Sequence, residues 1–184
     1  MVMSRLFPRR HGGAVSGNLL IRGSTMILGG KEVLGDLRVT SGIISAIAPG
    51  GGLEPGLNET IIEGHGLYLL PGAIDPHVHF RDPGQPEKED LESGSRAAAA
   101  GGVTSFLDMP NNIPNATNRK TLENKIHLAE KKAVTHHGFF VGATKDNVSD
   151  LQSVEGMDGV CGIKIFMGSS TGDLLVDEQR HLED

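Results

Sequence analysis

Residues 71–81 read PGAIDPHVHFR, and the order of residue types in that stretch decides the fold around it. Pro71 and Gly72 punctuate the chain, Ala73 and Ile74 begin a short apolar run, and the run passes into Asp75-Pro76-His77-Val78-His79. That is the grammar of a strand whose C-terminal end carries polar side chains. On an extended backbone His77 and His79 are two apart and point to the same side, so two imidazoles converge on one point. Neutral imidazole suits Zn²⁺ and other borderline metals. Taken alone, an HxH pair reads equally as two histidines on a solvated strand face. It gains weight here because the strand is apolar, bounded by glycine and first in a series.

The series follows at once. EKEDLESGSRAAAA (87–100) is acidic at its start and alanine-rich at its end, then stopped by Gly101-Gly102, as a helix would be. VTSFLDM (103–109) reads as a strand and PNNIPNATN as a polar loop. In TLENKIHLAEKKAV (121–134) Leu122, Ile126 and Ala129 share one face with charges elsewhere, the pattern of an amphipathic helix. GFFVGAT (138–144) is a strand, DNVSDLQSVEG a short helix, GVCGIKIFMG (159–168) a further strand, and VDEQRHLED the opening of another helix. Strands alternating with helices imply a parallel sheet with crossover helices.

Two parallel architectures compete. A doubly wound sheet binds nucleotides through a glycine-rich first turn, and no GxGxxG or Walker sequence follows a strand here. A (β/α)8 barrel places its chemistry at the C-terminal ends of successive strands, and that is where His77/His79, Asp108/Asn111 and Lys164 fall. The barrel is the better fit. Four βα units are visible where a complete barrel has eight, so the expectation is an α/β chain carrying the first half of a barrel.

Toward the N-terminus the pattern is different. LLIRG, TMIL, LRVTSGIISAIAP and TIIEGHGLYLL are strand-length apolar runs separated by glycine-rich turns, with no helical period, and together predict a small β-sandwich portion. Residues 1–18, rich in Arg, Gly and Ser, read as a poorly ordered leader. The expected organisation is a leader at 1–18, a β unit at 19–69 and barrel units at 70–184.

Composition narrows the class. Of 184 residues 26 are glycine, about twice the usual share, without a triplet period, which favours many turns and excludes collagen. Lys and Arg number 17 against 23 Asp and Glu, for a net charge of −6, so no overall basic surface exists to hold a nucleic-acid backbone. One cysteine excludes an internal disulfide and a CxxC zinc site. No run of 18 apolar residues occurs, so no membrane span is expected, and with no apolar segment after the first arginines a signal peptide is not expected either. The default setting is cytoplasmic.

Lys164 stands between Ile163 and Ile165. It either snorkels to the surface or has a buried task. A buried lysine loses affinity for its proton, and the neutral amine can add carbon dioxide to give a carbamate, an anionic two-oxygen bridge between metal ions.

Four motifs in order, LLPGAIDPHVHFRDPG, AAAAGGVTSFLDMPNN, GFFVGAT and GIKIFMGSSTG, carry a resemblance. Residues 19–184 resemble the N-terminal part of the cyclic amidohydrolases, most of all the dihydroorotases of the bacterial, hydantoinase-related type. The resemblance implies two zinc ions per subunit, with His77 and His79 on the more buried one and a carboxylated Lys164 bridging both. It implies that the metals activate a water for attack on a ring amide carbonyl. Arg81 and Asn111 match the residues that grip the substrate carboxylate, for which a guanidinium fork is well shaped. Arginine at position 81, with Asn111 after DMP, points to dihydroorotate and carbamoyl aspartate, the ring-closing step of pyrimidine synthesis. Hydantoinases, dihydropyrimidinases and allantoinases carry other residues there and remain the alternatives, along with a surface bridge from Arg81 to Asp82. The resemblance further implies two more histidines and a general acid/base aspartate beyond residue 184, and an oligomer or an association with aspartate carbamoyltransferase. A non-catalytic homologue stabilising such a partner is the rival from another class.

Other polar residues draw weaker readings. His136 and His137 precede their strand, away from its C-terminal end. Cys161 is three from Lys164 and faces the other way, as a small hydrophobe. Asp108 either orients Asn111 or a loop, or is structural. His65, His127 and His181 read as surface residues, and Ser169, Ser170 and Thr171 either support Lys164 or belong to a polar loop.

Overall fold

A computed structural model describes residues 17–168 and 174–183; residues 1–16 of the expected leader and Ser169, Ser170 and Thr171 lie outside them, while Asn18 already opens a strand. The chain divides into two compact units between Pro71 and Gly72.

In the first unit, strands β1 (Asn18–Leu28), β2 (Lys31–Thr40), β3 (Ile43–Pro49), β4 (Glu59–Glu63) and β5 (Tyr68–Leu69) form one sheet. β1 and β2 are an antiparallel hairpin, whereas β4 and β5 pair with β1 in parallel. The runs LLIRG and TMIL, two strands on sequence, are one strand. Gly23, at φ 63°, takes up a bulge between Ile21 and Ser24, and its extra residue switches which positions of β1 share a face. The bulge is pinned where the Gly23 N–H donates to Asp36 Oδ1 at 2.8 Å. Leu20, Met26 and Leu37 are buried, Met26 and Leu37 on one face and Leu20, opposite Arg38, on the other.

The second unit alternates β6 (Ala73–Val78), α1 (Leu91–Ala100), β7 (Val103–Asp108), α2 (Arg119–Lys132), β8 (His136–Gly142), α3 (Val148–Ser153), β9 (Val160–Lys164) and α4 (Gln179–Leu182). Its four strands run parallel in the order β6-β7-β8-β9. Each long helix starts where a side chain can satisfy free backbone amides. Asp90 caps α1 in a reciprocal box with Ser93, and Asn118 caps α2 with Thr121. The caps place α1 later, and α2 two residues earlier, than apolar spacing alone suggests. The core joins Phe80, Leu91, Phe106, Leu122, Ile126 and Phe139, with Phe80 and Phe106 edge to face at 4.7 Å between ring centroids.

Within α2 the structure corrects one expectation. Leu122, Ile126 and Ala129 are buried as their spacing requires, but so is Lys125, a charge on the face read as apolar.

Candidate active site

The histidine pair stands at the end of β6, with His77 exposed and His79 half-buried. Their Nε2 atoms face each other at 3.2 Å. Two imidazoles on a tetrahedral zinc, with bonds of about 2.0–2.1 Å, hold their nitrogens roughly 3.4 Å apart, so the pair is already close to the spacing of a chelate. The remaining nitrogen of His79, Nδ1, is 2.7 Å from Asn111 Oδ1. With Nδ1–H donating to that oxygen, the lone pair is left on Nε2, the atom turned toward His77. Asp75 accepts the backbone N–H of His77 at 3.1 Å. Among the described residues no three of His, Cys, Asp and Glu gather to hold a metal, so the donor set here is the histidine pair.

Asn111 and Arg81 come together across the loops that follow β7 and β6. Both line a cavity of about 530 Å³ together with Lys88 and Asn112, and none of the described lining residues is acidic. Asp82, the alternative partner for Arg81, is taken by Lys132 at 2.6 Å. That hydrogen bond raises the pKa of Lys132 above its ordinary value.

The backbone that presents Arg81 is held at every step. The Phe80 N–H donates to Asp108 Oδ1 at 3.1 Å, and the Asn112 amide donates to Phe80 O at 2.9 Å and to Asp82 O at 3.3 Å. The Arg81 N–H donates to Glu89 O at 3.0 Å. Asp108 is therefore the loop-ordering residue, through Phe80 rather than through Asn111. Behind it lies Lys125, 1% exposed. Its ammonium is 3.0 Å from Asp108 Oδ2, donates to Met109 O at 2.8 Å and to Asn112 Oδ1, and stands 4.9 Å from the Phe139 ring centroid. Burial pushes the Asp108 carboxyl up and the Lys125 ammonium down, each opposed by the other's charge.

Lys164 ends β9, half-buried, opposite Gly142 in register, with its ammonium 5.1 Å from the Phe166 ring centroid. Cys161 turns to a separate, apolar cavity of about 660 Å³ beside Leu151 and Val154, where burial pushes its thiol up to about 12. His65 and His127 are on the surface. His136 and His137 open β8, with His137 buried.

Histidines at the end of the first parallel strand and a polar loop at the end of the second are the decisive arrangement. Residues 68–133 match the amidohydrolase family. The chain is 41% identical over 156 residues to an allantoinase of Rubrobacter xylanophilus, covering 84% of this chain and 33% of that protein. It is 40% identical over 122 residues to a dihydroorotase of Methanosarcina acetivorans, covering 66% and 26%. It thus spans a third or less of the length of these relatives. Among solved structures, the L-hydantoinase (dihydropyrimidinase) from Arthrobacter aurescens superposes with a TM-score of 0.79 at 20% identity, over 89% of this chain and 36% of that one. This last likeness speaks for the fold alone: the second unit matches the first arc of a (β/α)8 barrel. The amidohydrolase match contains His77, His79, Arg81, Asn111 and Lys125 and ends before Lys164.

Strand-end position pointed to the histidine pair, Asn111 and Lys164, and the family resemblance to Arg81. It missed Asn112, Lys125 and Lys132. Position on the helix was the available signal for Lys125, three residues after Leu122 and one before Ile126.

Proposed function

We propose that this chain supplies the metal-binding and carboxylate-gripping part of a zinc-dependent cyclic amide hydrolase, a dihydroorotase interconverting carbamoyl aspartate and dihydroorotate. The observation that carries it is the cavity beside the histidine pair, which offers a guanidinium and an ammonium and no acid. Dihydroorotate is a cyclic amide that carries a ring carboxylate. Arg81 can grip that carboxylate with two parallel N–H donors, while the amide nitrogen of Asn111 adds a donor and its oxygen keeps His79 in the metal-binding tautomer.

His77, His79 and a carboxylated Lys164 would hold the metals. When bound, zinc supplies Lewis-acid polarisation of the ring carbonyl and lowers the pKa of an attacking water. The chain's own residues bind and orient: Arg81 and Asn111 anchor one side of the ring and so present the amide to the histidine pair. The general acid/base aspartate belongs to barrel strands after β9, and assembly with aspartate carbamoyltransferase or into a homo-oligomer belongs to the same proposal.

The test is hydrolysis of dihydroorotate by the full-length protein with zinc, before and after Arg81→Met. Losing a charge-assisted carboxylate contact should lower kcat/KM about a hundredfold, or about 2.7 kcal/mol. Allantoin hydrolysis is the second reading, favoured by the 41% identical allantoinase. Allantoin carries no carboxylate, so turnover of allantoin unaffected by Arg81→Met would replace the first reading with the second. A full-length protein that purifies without zinc and turns over neither ring would be the non-catalytic homologue.

A further inference from the structure

A cation on the buried stripe of an amphipathic helix needs an explanation, because sequestering a charge is costly unless it is paired and hydrogen-bonded. Lys125 is fully provided for, and its partners share one property. Asp108 and Asn112 are the two side chains that bind the backbone on either side of Arg81, and Asn112 also lines the cavity that Arg81 enters. Met109, whose carbonyl accepts from Lys125, stands two residues before Asn111. One ammonium therefore ties down the loop that carries Arg81 and the loop that carries Asn111. Seven residues along the same helix, Lys132 holds Asp82 from its other side.

We propose that Lys125 is a positioning residue: acting through Asp108 and Asn112, it fixes the backbone of Phe80, Arg81 and Asp82 and so aims Arg81 at the carboxylate of the substrate. Lys125 touches no substrate atom in this scheme. Its effect is to spare binding the cost of ordering the Arg81 loop. The inference rests on the dihydroorotase reading for the identity of the ligand, and on the hydrogen bonds alone for the clamp.

Two measurements on the full-length zinc protein test it separately. The first is amide hydrogen exchange of the segment 79–84, with β8 as internal control. Lys125→Met should speed exchange of Phe80 and Arg81 by about tenfold or more while β8 stays protected. Because Lys125→Met strands the Asp108 carboxylate, Asn112→Asp serves as the second variant. It keeps an oxygen for Lys125 and removes both amide donors to the Arg81 loop, and the same local loosening is expected. The second measurement is selectivity. Lys125→Met should raise KM for dihydroorotate about tenfold with kcat changed far less, and alter turnover of an uncharged cyclic amide such as hydantoin far less than that. Asn112→Asp is read by exchange alone, since its new carboxylate would stand in the cavity that takes the substrate carboxylate. Combined with Arg81→Met, Lys125→Met should cost nothing more, since contacts acting through one group are not additive. A folded variant with unchanged exchange at 79–84, or with equal losses on charged and uncharged rings, would reduce Lys125 to a structural residue. Failure of the wild-type protein to act on dihydroorotate would overturn the substrate reading instead, and hydrogen exchange would then decide the clamp by itself.

Discussion

Asp36, on β2, accepts the Gly23 N–H at 2.8 Å and the Leu53 N–H at 3.0 Å, one on each carboxylate oxygen. These donors, Gly23 foremost, hold its carboxyl below the usual range near 3.8. A depressed pKa fixes the sign of the pH dependence. The stabilisation is fully present above the unfolded value and disappears as pH falls through the folded one. Asp36→Asn keeps one acceptor and sets an amide against the other donor. At pH 7 it should cost the β unit about 2 kcal/mol. Urea midpoints of wild type and variant should converge below the ordinary carboxylate pKa, because a protonated Asp36 resembles the asparagine. Midpoints that stay equally far apart at pH 7 and at low pH would show that charge has no part in it. Residues also differ in how far sequence exposes their roles. His77 and His79 are legible because a strand's two-residue period puts them side by side. Asn111 beside His79 is not, because a loop has no period.

Among the elements, α1 shows a local preference overruled by packing. Gly94 sits inside the helix, where alanine is ordinarily better by about 1 kcal/mol. A Cβ at Gly94 would stand 2.6 Å from Phe80 Cε1, and Phe80 is the buried residue next to Arg81. Gly94→Ala should therefore destabilise the protein by about 1–2 kcal/mol instead of stabilising it, as thermal unfolding would show; a gain in stability would mean that Phe80 can shift freely. The existence and order of the elements were legible because apolar runs alternate with capped, amphipathic stretches. Their boundaries were not, since Asp90 and Asn118 set the helix starts through side-chain bonds that apolar spacing does not report. The buried face of α2 was misread at Lys125 for a related reason: a charge is assigned to solvent until a partner such as Asp108 is known, and that partner lies 17 residues away in the chain.

For the whole molecule, the parallel sheet ends in two open strands, β6 and β9, and large apolar side chains lie uncovered near its last edge. Ile163 is 53% exposed and Met167 62%. Unpaired edges and apolar patches of this kind drive association. These 184 residues, expressed by themselves, should self-associate, with a light-scattering mass that rises above 19.5 kDa as concentration increases; a concentration-independent monomer would contradict this. Fold class was legible at this scale because polar residues gather at successive strand ends, which a barrel explains and a doubly wound sheet does not. The strand order β6-β7-β8-β9 also bears on how the protein is made. Within this sheet β7, β8 and β9 each pair with the strand that emerges just before them, so each finds that partner already translated. By the time β8 has left the ribosome, the histidine pair, the Arg81 loop, Asn111 and their lysine anchor have all been synthesised, and this side of the candidate site can be laid down in the order of translation.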